Sequence, residues 1–141
     1  MSAVIGVNTT KVDAGTSDAN WVDQGRIKSG LKIMSDTYEA VALAMGSTIK
    51  VANLPAGAVI QDVKVFFDVL GAGVTVEVGD SVDSDRYIAA TVATAAGAAS
   101  GAKADGAGYE IGTVAGDEEI LITTGVGAAT GTVKVLIAYT N

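Results

Sequence analysis

Apolar and polar residues alternate along most of this chain, and a period of two marks strands rather than helices. The clearest stretch sets Val74, Val76 and Val78 against Thr75 and Glu77. Another sets Val133, Val135, Ile137 and Tyr139 against Thr132, Lys134 and Thr140. Both predict strands with one buried and one wet face, because successive side chains point to opposite sides of a sheet.

From Ala58 to Leu70 the pattern puts Val59, Val63, Val65, Phe67 and Val69 on one face and Asp62, Lys64 and Asp68 on the other. Phe66 and Leu70 fall on that polar face, which predicts partial cover there. Pro55 and Gly57 mark a turn before this strand. Residues 26–34 place Ile27, Ser29, Leu31 and Ile33 opposite Arg26, Lys28, Gly30 and Lys32, predicting a strand with a basic outer stripe. Further strands are expected at 38–45, 47–53, 86–94, 108–113 and 118–124. Ala40 to Ala44 has a helical alternative, since Ala, Leu and Met favour helices. From Ala95 to Gly108 the chain is almost wholly Ala, Gly and Ser, which predicts a flexible loop.

About nine short strands predict an all-β fold, a two-sheet antiparallel β-sandwich. Patterning leaves immunoglobulin-like and jelly-roll topologies open; the strand number and the long loop favour the jelly roll. The first two dozen residues are polar and predict an extended N-terminal arm over 1–24, ahead of a single sandwich domain over 25–141. Trp21, the only tryptophan, either plugs one end of the sandwich or anchors the arm to a partner, and burial in its own chain is the commoner outcome for a large aromatic.

A chain of 141 residues suits one domain with an ordinary core. It holds no cysteine and no histidine. Disulfides, thiolate metal sites and imidazole-dependent nucleophiles are thereby excluded, leaving carboxylates, lysines and hydroxyls for any chemistry. Residues 1–15 lack the basic start and apolar core of a signal peptide, and no apolar run reaches the roughly 20 residues of a membrane span. The expectation is a protein made in the cytoplasm, without a membrane partner.

The net charge of −7 is unevenly placed. Residues 1–59 carry five basic and five acidic side chains; residues 60–141 carry four and eleven. A surface of that sign repels phosphate backbones, so no nucleic-acid partner is expected.

Asp80, Asp83 and Asp85 invite a calcium reading, but their spacing misses the calcium-loop pattern and an acidic turn is favoured. Asp117, Glu118 and Glu119 are consecutive, so on a strand neighbours point to opposite faces and form no acid–base pair. Gly97, Gly101 and Lys103 miss the phosphate-loop spacing; Gly125, Gly127 and Gly131 miss the dinucleotide fingerprint. Asn8-Thr9-Thr10 fits a glycosylation triplet but has no secretory context. No catalytic residue, cofactor site or metal site is expected. Arg26, Lys28 and Lys32 stand out in an acidic chain: they are either a charged edge that blocks strand pairing or a docking contact for an acidic partner. With Trp21 they are the candidate partner contacts.

Residues 47–141, through Asn53-Leu-Pro-Ala-Gly-Ala-Val-Ile-Gln-Asp-Val63, Gly79-Asp-Ser-Val-Asp-Ser-Asp-Arg-Tyr-Ile88 and Gly131-Thr-Val-Lys-Val-Leu-Ile-Ala-Tyr139, resemble small virion proteins of tailed double-stranded-DNA phages, the capsid cement or decoration proteins. The resemblance implies a jelly roll on the outer surface of the head, self-associated as a dimer or trimer and bridging major capsid proteins. A tail-fibre or adhesin sandwich is the alternative, and it requires an exposed aromatic cluster drawn from Trp21, Tyr38, Tyr87 and Tyr109.

Overall fold

The computed structural model describes residues 30–101, 106–112 and 114–141. The arm expected over 1–24, with Trp21, and the positions of Arg26 and Lys28 lie outside the described residues. Residues Leu31–Asn141 form one compact unit.

Eight strands are present among the described residues: β1 Lys32–Leu43, β2 Thr48–Asn53, β3 Val59–Phe67, β4 Thr75–Gly79, β5 Ile88–Val92, β6 Gly97–Ser100, β7 Glu119–Gly125 and β8 Ala129–Thr140. They form two four-stranded sheets, ordered β1-β8-β3-β6 and β2-β7-β4-β5, and every pairing is antiparallel. Consecutive strands β1 to β4 alternate between the sheets, as do β5 to β8. This is the jelly-roll connectivity, and the expected sandwich is the observed one.

The core lies where the two inner faces meet. Val63, Val65 and Phe67 of β3, Val133, Val135 and Ile137 of β8, Val76 and Val78 of β4, and Ile120 and Ile122 of β7 are all buried. Each such side chain contributes roughly 1.5–3 kcal/mol by leaving water. The alternation read from the sequence therefore places β4, β7 and β8 correctly.

Where the period slips, a bulge is the cause. The β3–β8 register shifts between Ile60 and Asp62, so Ile60 and Val63 are both buried although they are three residues apart. Val59, expected inside, is only partly buried. β3 stops at Phe67, so Val69 is 57% exposed while Leu70 turns into the core. In β2 the shift between Lys50 and Ala52 lets the neighbours Val51 and Ala52 both be buried.

Four other expectations are corrected. The segments expected at 26–34 and 38–45 join, from Lys32 onward, into the single strand β1, and the helical alternative at Ala40–Ala44 does not form. One strand has one parity: Ala40 is buried and Met34 packs on the core, so even-numbered residues face inward. Leu31 and Ile33, expected inside, are 60% and 64% exposed. Lys32 shares the Met34 face, which is open at this end of the strand, and is itself exposed. The Ala/Gly segment expected to be a loop contains β6, where Gly97–Ser100 pairs with Lys64–Phe67. Its residues have little strand propensity, but the backbone edge of β3 supplies the hydrogen bonds and tertiary context overrides propensity. The strand expected at 108–113 is a turn-rich loop with one bridge, Glu110 to Val59, because Gly108 and Gly112 take φ of +76° and +88°.

Candidate partner-binding surfaces

Antiparallel pairing sends the connections to two ends. Loops 44–47, 68–74, 93–96 and 126–128 gather at one end, tied by Gly46 N–H to Thr124 C=O (2.7 Å), Leu70 N–H to Ala93 C=O (3.0 Å) and Thr130 N–H to Leu70 C=O (2.9 Å). Their only charged residue is Asp68. Met45, Val69 and Val126 stand out from them at 66%, 57% and 66% exposure, and Val126 holds φ of +70°, a costly conformation for a β-branched residue.

The opposite end carries the acidic groups. In the loop between β4 and β5, Asp80 is buried. Its Oδ1 accepts the N–H groups of Val82 and Asp83, both at 2.8 Å, and its Oδ2 accepts Arg86 Nε at 2.5 Å. Burial alone would lower the Arg86 pKa, but the bond to Asp80 together with the negative charge of Asp80 and its neighbours outweighs it and raises it above the ordinary guanidinium value. Asp80 thus fastens a turn. Among the described residues no group of three or more acidic side chains is placed to hold a metal ion.

Asp117 does the same for the loop between β6 and β7. It is fully buried. Its Oδ1 accepts Gly112 N–H at 2.7 Å; its Oδ2 accepts Val114 N–H at 2.9 Å and the Tyr109 hydroxyl at 2.8 Å. The Arg86 guanidinium lies 4.2 Å from the Tyr109 ring centroid, and Tyr87 meets Tyr109 edge to face at 6.4 Å. The line Asp80–Arg86–Tyr109–Asp117 therefore clamps the two loops together. Sequence reasoning treated Asp117 as the first of three strand carboxylates and missed this role. The signal available was Asp117 directly after Gly116 in a glycine-punctuated stretch, the setting of a loop-capping aspartate.

The Tyr87 hydroxyl is buried with no hydrogen-bond partner among the described residues. Burial, followed by the nearby Asp80 charge, raises its pKa well above the ordinary phenol value. A phenol that stays protonated in the fold while the unfolded chain ionises supports stability fully below about pH 10, and that support is lost as pH rises beyond it. Tyr87→Phe is expected to be neutral or stabilising by about 1 kcal/mol at pH 7. It should also flatten the fall in melting temperature above about pH 10. Thermal unfolding of both proteins from neutral to alkaline pH checks this; an equally steep alkaline fall in the variant contradicts it.

Of the candidate contacts, only Lys32 is described. It opens β1 opposite Tyr139 and is exposed. β1 is twelve residues long and lies at the edge of its sheet, hydrogen-bonded to β8 on one side only among the described residues. Tyr38, at 38% exposure, is the one described candidate for an aromatic platform that faces water well; Tyr87 is buried and Tyr109 lies under Arg86.

No protein-family model matches the chain, and no curated protein does. Solved structures do. A chain from the cyanophage Pam1 capsid asymmetric unit matches with a TM-score of 0.64 at 24% identity, over 80% of this chain and 84% of that one. A chain from the capsid of Ralstonia phage GP4 matches with a TM-score of 0.62 at 19% identity, over 79% of this chain and 84% of that one. At these identities the likeness establishes the shared fold.

Proposed function

We propose that this chain is a structural subunit of a tailed-phage head: a cement, or decoration, protein that binds the outer surface of the capsid and bridges neighbouring major capsid proteins. The observation that carries this reading is the fold shared, over about four-fifths of the chain, with chains from two phage capsids. The charge distribution supports it. An acidic body suits the outside of a shell filled with DNA better than the inside, and it argues against nucleic acid as a partner. Trp21, Arg26, Lys28 and Lys32 are the proposed contacts, by way of the N-terminal arm and the start of β1. The work is done by contact area, without catalysis or cofactor, and many modest contacts on one shell sum to a strong hold. The tail-fibre alternative is weakened because Tyr87 and Tyr109 form a clamp and no platform.

Heads carrying the protein should keep their DNA to a higher temperature, and in lower salt, than heads stripped of it. DNA release measured by dye fluorescence during a heat ramp tests this, and equal survival of the two would sink the proposal.

A further inference from the structure

Phe66 stands on the outer side of a central strand, where the residue pattern predicts partial cover, yet it is 41% exposed. Its surroundings are fixed by register. Lys134 of β8 lies opposite Phe66, and Leu136 lies opposite Lys64. These four side chains form one block in the middle of the outer face of the first sheet, the two lysines on one diagonal and the two apolar groups on the other. Both lysines are exposed and Leu136 is half-buried. The flanking strands set only small residues beside the block: Ser35 and Thr37 of β1 opposite Leu136 and Lys134, and Ser100 and Ala98 of β6 opposite Lys64 and Phe66. The block therefore rises from a low face, and it lies on β8 and β3, each of which has a described strand on both sides.

Its charges are unlike those elsewhere in the chain. Lys50, on the outer face of the second sheet, is neutralised by Glu119 at 2.6 Å, and Arg86 is bound to Asp80. Among the described residues Lys134 has no ion pair, and Lys64 reaches Asp62 only at 3.8 Å. Glu39, diagonal to Lys134, has its carboxylate held by the Thr132 hydroxyl at 2.6 Å. Two like charges on one diagonal repel each other. A carboxylate laid between them would meet both ammonium groups and remove that repulsion.

We propose that this block docks a short acidic segment of the capsid surface, with a carboxylate over Lys64 and Lys134 and an apolar side chain against Phe66 and Leu136. The inference rests on the capsid reading above and adds a second contact surface to the arm and the start of β1. Charge complementarity selects the occupant. A nucleic acid is also negative, but a long phosphate chain would run on past a body of net charge −7, whereas a short acidic segment meets only the block.

Cosedimentation of the whole chain with heads stripped of it, over a concentration series, tests the surface. Lys64→Glu and Lys134→Glu should each weaken binding by about tenfold, and Phe66→Ser by at least as much. Lys50→Glu makes the same charge change on the other sheet and should bind like the parent. Added salt should weaken the parent, and weaken a Lys64→Gln, Lys134→Gln double variant less. Circular dichroism reports folding, and the exposed lysines keep the test decisive if Phe66→Ser misfolds. Heads that do not bind the parent contradict the capsid reading and this inference with it. Heads that bind the parent and the block variants alike, or that lose Lys50→Glu equally, overturn this inference alone. A thymidine oligonucleotide bound by the parent and released by the lysine variants would give the block to nucleic acid and overturn it too.

Discussion

Alanine in place of Asp117 is expected to lower stability by about 3–5 kcal/mol, and the melting temperature by roughly 10–20 °C. The carboxylate is fully buried and accepts hydrogen bonds from Gly112, Val114 and Tyr109. Removing it takes from those three donors the acceptor they share. Asn at this position should recover only part of it, because an amide turns a donor toward groups that are themselves donors. Thermal unfolding followed by circular dichroism makes the comparison; a D117A protein melting within about 3 °C of the parent would show that the loop does not depend on this carboxylate.

Gly79→Ala should cost about 3 kcal/mol for a different reason. A Cβ at Gly79 would lie inside van der Waals contact with the carbonyl oxygen of Asp83, and 2.6 Å from that of Ser84. Both obstacles are backbone, so the loop must move, and this is the loop in which Asp80 holds Val82, Asp83 and Arg86. Gly108 is the contrast: φ is +76° but no atom lies within 4 Å of a Cβ there. Gly108→Ala should therefore cost only the left-handed backbone penalty, about 1–2 kcal/mol. Urea titrations of the two variants give the difference, and equal losses would contradict the steric argument.

The two glycines illustrate what the residue pattern does and does not reveal. Alternation shows which strands exist where one face is apolar and the other polar, as at Val74 to Val78 and Val133 to Tyr139. It fails where the backbone alone supplies the energy, as in β6, whose Gly, Ala and Ser residues pair with β3 through hydrogen bonds. It also fails in phase. The bulge near Gln61 inverts which of Val59 and Ile60 is buried, and the face of β1 is set by Ala40 and Met34, which reverses the sides expected for Ile33 and Lys32. Such reversals come from cross-strand register, which a local period does not contain.

The candidate surfaces were legible in the same uneven way. The acidic turn at Asp80 was readable because Gly, Asp and Ser are turn residues. The clamp through Asp117 was hidden because Arg86 and Tyr109 are distant in sequence and meet only when both loops reach the same end of the sandwich. The edge character of β1 was weighed for the Arg26, Lys28 and Lys32 stripe; the exposure of Leu31 and Ile33 became visible only with the strand order.

The central claim, a jelly-roll subunit fixed to the outside of a phage head, is tested most directly by a cryo-electron-microscopy map of the virion that contains this protein. The account predicts two-sheet density matching β1 to β8 on the outer surface of the shell, each copy touching more than one major capsid subunit. Density of that shape on a tail fibre, on the inner surface of the shell, or nowhere in the particle would contradict it.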